Sequence, residues 1–142
     1  MILETIIVSL LTVAFSVIAL IHLYWFFGGE RGLDAALPND MEMVKKRFSL
    51  PVIRIFNAIF IAPVILVLCM LIVSLYDVVP VIAPYKAQLY FWFSIIFILR
   101  GVLGWLVINK FTKKEIFIRN NTVIYSPISF TLGLLLLGLY LL

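Results

Sequence analysis

The chain has 142 residues, of which 65% are hydrophobic and 13% are charged. Soluble domains contain roughly 45–50% apolar and about 25% charged residues, so this composition excludes an ordinary soluble domain and predicts an integral membrane protein. The net charge of +4 does not indicate nucleic-acid binding, because nearly all of the basic residues lie in loops between apolar runs.

Four apolar runs are long enough to cross a membrane, which takes about 20 residues of helix. They cover residues 3–27, 51–76, 87–109 and 125–142. The sequence therefore predicts an all-α fold, a polytopic membrane protein whose single domain, residues 1–142, is an up-down bundle of four transmembrane helices. In the last helix we expect Ser126 to be the N-cap and Pro127 the first helical residue.

The distribution of Lys and Arg predicts how the chain is oriented. Five of them lie in or beside the first loop and four in the third loop, whereas the N-terminus, the second loop and the C-terminus hold only Lys86. Cytoplasmic loops are enriched in Lys and Arg, so both termini are predicted to be outside and the two basic loops cytoplasmic. The expected location is the cell inner (plasma) membrane, with membrane lipids as partners.

Small residues recur in the first helix at spacings of four and three residues, which keeps them on one face. This small-residue seam consists of Thr5, Ser9, Thr12, Ser16 and Ala19. Small residues let helix backbones approach closely within a membrane. We therefore expect Ser9, Thr12 and Ser16 to face other helices rather than lipid.

The first loop begins with Gly28-Gly29, which suits a helix C-cap. Residues 33–37 are apolar enough to enter the membrane interface. Residues 41–48 have the composition of a short basic helix lying on the headgroups.

Several polar residues fall in the cytoplasmic half of the predicted bundle. His22 and Arg100 lie about 8 and about 12 Å from the inner ends of their helices. An intramembrane charge costs at least about 2.5 kcal/mol, so it is a functional candidate by default. The candidate ligand-binding residues are His22, Trp25, Arg100, Asn57, Arg54 and Tyr125.

A structural role is open for the two deepest residues. Arg100 can snorkel toward the interface or clamp loop carbonyls, and His22 can form a hydrogen bond between helices. We predict that Arg100 and His22 face one partly hydrated cavity open to the cytoplasmic side. The expected acceptors for Arg100 are Asn57, Tyr125 and loop carbonyls, with Glu30 as the nearest carboxylate.

The sequence gives little support for a metal site, a haem site or a catalytic site. The single histidine excludes a bis-histidine haem or a zinc cluster within one chain. No nucleophile–base pair is visible, so we expect no catalytic residue, no cofactor and no metal, and an enzyme is the least favoured class.

The spacing of His22, Trp25 and Gly28-Gly29, followed by Gly32, Ala36 and Pro38, resembles an uncharacterised bacterial family of short four-helix integral membrane proteins. The late Tyr125-Ser126-Pro127 is similar to a second motif of that family. The resemblance covers essentially the whole chain and implies the four-helix architecture, but no activity, substrate or cofactor.

Two functions remain open at this point. The first is binding of an amphipathic anion or lipid headgroup in a cytoplasm-facing polar cavity, where Arg100 would meet the charge. The second is an accessory or protective, immunity-like membrane protein that acts through helix–helix contacts with a partner or a second copy.

Overall fold

A computed structural model describes residues 2–76 and 83–142. Within these ranges it describes every side chain except those of Met41, Leu50, Arg54, Phe56, Asn57, Phe60, Val73, Ser74, Leu75, Tyr76 and Ala83. The described part of the chain is helical and contains no strand.

The helices follow one another with short connections. They are α1 (Ile2–Phe26), α2 (Leu33–Ala36), α3 (Met41–Arg47), α4 (Leu50–Tyr76), α5 (Lys86–Leu106), α6 (Glu115–Asn120) and α7 (Ser126–Leu141). Single 3-10 turns cover Ala83–Tyr85 and Ile108–Phe111. A π-helical turn, Asn121–Tyr125, joins α6 to α7.

Three helical segments are long and apolar enough to cross a membrane: Ile2–Phe26, Lys86–Leu106 and Glu115–Leu141. The long helix α4 contains a shorter apolar stretch, Ile61–Ile72. Pro63 lies inside α4, within the second apolar run of the sequence.

The long helices pack as two pairs. The most extensive contact joins α5 to α7, the next joins α1 to α4, and α1 also touches α7, whereas α4 and α5 touch only slightly. The shared core is built from large apolar side chains. It comprises Val8, Leu11, Phe15, Ala19, Val64, Val67, Met70, Leu71, Tyr90, Phe93, Leu132, Leu136 and Leu139.

The small-residue seam of α1 is only partly buried. Thr5 and Ser9 are exposed, and Thr12 and Ser16 are half-buried. The prediction that Ser9 faces another helix is therefore wrong. The buried face of α1 is formed by Val8, Leu11 and Phe15 together with Ala19, the one buried residue of the seam. The hydroxyl of Thr12 donates to the Val8 carbonyl of its own helix (2.8 Å), so it needs no partner on another helix.

The last helix begins earlier than predicted. Helical structure runs without a break from Glu115 through the π-helical turn to Leu141. Ser126 has helical backbone angles, so the prediction that it is an N-cap is wrong. Its N–H donates instead to the carbonyl of Asn121, five residues back, which closes the wide turn. Pro127 lacks an N–H, and the irregular turn before it is where this missing donor is accommodated.

The end of α1 is closed as Gly28-Gly29 predicts. Gly28 has a positive φ of 101°, its N–H donates to the Trp25 carbonyl, and the Gly29 N–H donates to the Tyr24 carbonyl. These two bonds form a Schellman motif, which satisfies carbonyls at the helix end. The chain then turns into α2, where Leu33 is buried, and into the short basic helix α3.

Candidate functional site

The helices α5 and α7 approach each other so closely that their backbones nearly touch. A Cβ added at Gly133 would lie 2.7 Å from the backbone nitrogen of Ile98 and 2.9 Å from the carbonyl oxygen of Ser94. A Cβ at Gly101 would lie 2.9 Å from the Ser126 carbonyl oxygen. Only glycine fits such distances, and this close pairing places the polar atoms of one helix directly against the other.

A cluster of polar side chains fills the end of this contact where α5 ends and α7 begins. We call it the Arg100 cluster, and it consists of Arg100, Asn109, Asn121, Thr122 and Ser126. Arg100 Nη2 donates to Asn121 Oδ1 at 3.2 Å, and Ser126 Oγ donates to the same oxygen at 3.3 Å. Both Asn121 and Ser126 are completely buried.

Asn121 holds the centre of the Arg100 cluster because all parts of its amide are used. Its Nδ2 donates to the Gly104 carbonyl at 2.7 Å and to Asn109 Oδ1 at 2.9 Å, while Oδ1 accepts from Arg100 and Ser126. A buried amide with this many partners is fixed in place. It therefore orients Arg100 on α5 from the opposite helix.

A second layer surrounds Asn121. Asn109 Nδ2 donates to Thr122 Oγ1, and Trp105 Nε1 donates to the Thr122 carbonyl, both at 2.9 Å. The Trp105 ring also lies 5.8 Å from the ring of Phe130. These contacts bind the π-helical turn to the end of α5, and they give the cluster an aromatic wall.

Arg100 is not fully satisfied by these partners. Nη1 is buried and has no hydrogen-bond partner. The described part of the chain also places no carboxylate within ion-pair distance of the guanidinium. A guanidinium has five donors, so an oxygen-rich anion is the chemical group that would complete this site.

Sequence reasoning found Arg100 but missed Asn121, which is its acceptor. The predicted helix began at Tyr125, so Asn121 was counted as part of a loop. Neither Tyr125 nor Glu30, which were expected acceptors, is joined to Arg100 by a described hydrogen bond. Tyr125 is half-buried, and Glu30 pairs with Lys45. The depth of Arg100 was the one available signal, because it demanded an acceptor on a facing helix.

The other candidates lie on α1 and α4. His22 Nδ1 donates to the Ile18 carbonyl of its own helix at 2.9 Å, and its ring lies edge-on to Trp25 with centroids 5.1 Å apart. Trp25 Nε1 donates to the Arg31 carbonyl at 2.9 Å. The side chains of Arg54 and Asn57 lie outside the described residues. None of the described hydrogen bonds joins His22 or Trp25 to Arg100, so a site shared by all six residues stays a prediction.

The residues of the first loop motif have structural partners instead. The ring of Tyr24 fills the space beside Gly29, where a Cβ would overlap it. The Pro38 carbonyl accepts a hydrogen bond from Thr112 of the third loop. Lys114, whose side chain is 12% exposed, reaches Asp34 Oδ1 at 2.6 Å and Asp40 Oδ1 at 3.6 Å. These bonds join the two basic loops into one layer beside the Arg100 cluster.

Metal binding finds no basis in the described residues, which contain no group of three His, Cys, Asp or Glu side chains able to hold an ion. No curated protein and no solved structure matches the chain. A family model described as "Protein of unknown function (DUF3995)" does match, over residues 15–136. The expected resemblance to an uncharacterised family is thereby confirmed. Because the match runs from the middle of α1 to the last turns of α7, the chain belongs to this family of unknown function.

Proposed function

We propose that the chain is a multi-pass protein of the cell inner membrane, in which α1, α4, α5 and the segment from α6 to α7 form four spans. Both termini lie outside, and both basic loops lie in the cytoplasm. The Lys and Arg distribution supports this orientation. The ion pair between Lys86 and Glu4 (3.5 Å) places the starts of α1 and α5 at the same end, as the proposed topology requires.

Cysteine labelling in intact cells tests this topology. In a Cys69→Ala background, a cysteine at Tyr85 should react with a membrane-impermeant maleimide, and a cysteine at Lys113 should react only after lysis. Labelling at position 113 with none at position 85 would reverse the orientation.

We further propose that the protein binds an amphipathic anion, through its phosphate or carboxylate group, at Arg100. The observation that carries this proposal is the buried Nη1 of Arg100, which has no partner although it lies within an apolar helix. Arg100 is six residues before the end of α5 at Leu106, which corresponds to about 9 Å of helix. A charge at that depth is costly unless it is paired, and the described residues supply an amide but no carboxylate.

The chemistry of the site favours an anion with an apolar tail. The planar guanidinium matches a phosphate or a carboxylate through two parallel hydrogen bonds. A Cβ at Gly104 would lie 2.0 Å from Ser126 Oγ and 2.7 Å from Arg100 Nη1, so only glycine lets these two polar groups lie against α5 at this point. The exposed faces of Leu103 and Trp105, which flank Gly104, provide apolar surface for the tail of such a ligand.

The proposed site consists of Arg100 with Asn121 as its positioning residue. It leaves out His22 and Trp25, because their described hydrogen bonds are made to backbone carbonyls of α1 and the first loop. In this proposal they hold the first loop in place rather than touch the ligand.

Thermal unfolding in a neutral detergent tests the proposal. Dodecyl phosphate and dodecanoate represent the two anionic headgroups, and dodecanol is the neutral control with the same chain. A ligand at 100 times its Kd stabilises the folded state by about 2.7 kcal/mol. We expect at least one anion to raise the Tm of the wild-type protein, and the more effective of the two identifies the headgroup.

Variants decide whether Arg100 is responsible. Arg100→Leu should abolish the rise in Tm, and Arg100→Lys should reduce it, because the charge stays but the fork is lost. Arg119→Leu is the matched control, since Arg119 is exposed and the same charge is removed. An equal response of wild type and Arg100→Leu, or an equal effect of dodecanol, would contradict the proposal.

One specific observation supports the alternative function, that of an accessory protein. Thr5 and Ser9 of the small-residue seam lie on the exposed side of α1, where close helix contact with a partner in the membrane remains open. Ser9→Leu should then prevent co-purification of a stoichiometric membrane partner without changing the Tm. Should Ser9→Leu and wild type both purify without a partner, this function is rejected.

A further inference from the structure

A second feature lies on the opposite helix pair, away from Arg100. An apolar groove of about 510 Å³ opens along the first half of α4 beside the end of α1. It is lined by Phe26, Pro51, Ile55, Ala58, Ile59 and Ala62. Ala58 and Ala62 are one turn apart and too small to fill the space, which explains why the groove exists.

The length of the groove fits a single membrane leaflet. From Pro51 to Ala62 the helix rises by about 17 Å, which is roughly half of the 30 Å hydrocarbon thickness. The cytoplasmic end of this stretch is its start, because the basic helix α3 directly precedes α4. An acyl chain of the cytoplasmic leaflet therefore has the matching position and length.

The residues that come just before the groove in the sequence are positively charged. Arg47 is four residues before Pro51, so no more than about 14 Å of chain separates them. Lys45 pairs with Glu30, but the described residues place no carboxylate within ion-pair distance of Lys46 or Arg47. Arg47 is exposed, and its guanidinium lies 5.9 Å from the Phe48 ring centroid.

We infer that this groove, with Lys46 and Arg47, is a binding site for one anionic phospholipid of the cytoplasmic leaflet. The phosphate lies on the two cations, and one acyl chain fills the groove between Phe26 and Ala62. Charge complementarity selects an anionic over a zwitterionic headgroup. The apolar groove fixes the position of the acyl chain. A basic loop without a groove would attract the headgroup but would not fix the acyl chain.

Native mass spectrometry of the full chain, released from vesicles, tests this inference. Phosphatidylglycerol and phosphatidylcholine with identical acyl chains are the probes. Each cation near an anionic surface contributes about fivefold in affinity, so two cations predict retention of phosphatidylglycerol by about 25-fold over phosphatidylcholine. The comparison is made in the wild type and in Arg100→Leu, so that a lipid bound at Arg100 is counted separately.

Charge variants test the headgroup site. Lys46→Gln with Arg47→Gln should bring retention of phosphatidylglycerol down to that of phosphatidylcholine. Lys110→Gln with Lys113→Gln is the matched control, because both lysines are exposed in the other basic loop and the same charge is lost. If both double variants lost the same amount of phosphatidylglycerol retention, the net charge of the protein would explain the effect, and the inference would be overturned.

A groove variant tests the acyl chain. Ala62→Leu fills the groove from its exposed side and should lower retention of both lipids several-fold, whereas Ala87→Leu, an exposed site at the far end of α5, should not. Circular dichroism confirms that both variants are folded. Unchanged retention in Ala62→Leu overturns the inference, as does a dimer whose cross-links run through the groove, since a second copy would then be the occupant.

Discussion

The two helix pairs of this protein are held together in different ways. In the α1–α4 pair the completely buried residues are large and apolar, such as Leu11 on α1 and Val67 and Leu71 on α4. Between α5 and α7 the contact is made by glycine and serine, with Gly133 against the backbone of Ile98 and with Ser94 and Ser126 buried. The first pair resembles the core of any helical protein, whereas the second brings backbones together around an arginine.

The difference shows where the polar chemistry of the chain is confined. In a membrane, apolar side chains gain little by leaving lipid, so close packing and hydrogen bonds decide which helices associate. The α5–α7 pair has both, and its hydrogen bonds converge on Asn121. The α1–α4 pair buries large apolar side chains and leaves an apolar groove at one end. The two proposed binding sites therefore lie on different helix pairs.

Asn121→Leu should have the largest effect on stability. It removes the acceptor of Arg100 and the donor to Gly104, and it leaves a charged group buried without its partner. A hydrogen bond to a charged group contributes about 1.5–3 kcal/mol, and the other buried polar groups of the cluster that lose their partner add to this loss. Unfolding by a denaturing detergent should show this loss, while Asn120→Leu, at a half-buried neighbour, should show much less.

A double-variant cycle sharpens this result. Arg100→Leu combined with Asn121→Leu should destabilise less than the sum of the two single variants, because no charge is then left without a partner. Additive effects would mean that the 3.2 Å hydrogen bond between the two side chains carries no energy.

Gly133→Ala should have the next largest effect. The new Cβ would meet backbone atoms of α5, which cannot move aside cheaply, so overpacking should cost about 1–3 kcal/mol. Gly138→Ala is the matched control, because nothing lies within 4 Å of its Cβ position. Its Tm should remain the same or rise, since alanine favours helix. Equal losses in the two variants would contradict the close contact of α5 and α7.

The positions of the long apolar helices were predictable because the length of a membrane span is fixed by the bilayer. In the described part of the chain three helical segments are long and apolar enough to span, so the four-span bundle stays a prediction. The helices α1, α4 and α5 lie over the first three runs. The start of the last helix was not predictable, since Asn120-Asn121-Thr122 and Pro127 have the composition of a loop. Tertiary hydrogen bonds that Arg100, Trp105 and Asn109 donate to Asn121 and Thr122 override that local preference.

The buried face of α1 was also not predictable from the sequence. A face that contacts lipid and a face that contacts another helix are both apolar, so hydrophobic periodicity does not separate them. The spacing of small residues selected a face that lies beside the buried one. For the candidate site, the cost of a charge in the membrane identified Arg100, but its partner depended on the irregular turn at Asn121.

The seam of α1 gives a smaller prediction. Ser16→Leu should destabilise by about 1 kcal/mol, because Ser16 is half-buried at the edge of the packed face. Ser9→Leu should change stability by less than about 0.5 kcal/mol, since Ser9 is exposed. Thermal unfolding of the two variants side by side measures the difference. A larger loss for Ser9→Leu would mean that this position is covered by a second copy of the chain.

The smallest effect is expected for Trp25→Phe, which tests whether the loop motif is structural. The change keeps an aromatic ring against His22 and removes only the hydrogen bond from Nε1 to the Arg31 carbonyl. Such a bond contributes about 0.5–1.5 kcal/mol, which corresponds to roughly a twofold to tenfold increase in local opening of the loop. Trypsin cleavage after Arg31 should therefore be faster by that factor, while the Tm changes little. Trp92→Phe is the control, because Trp92 is 61% exposed at the other end of the protein. If both variants are cleaved at the wild-type rate, the Trp25 hydrogen bond does not hold the loop. The prediction that Trp25 binds the ligand would then be favoured over a structural role.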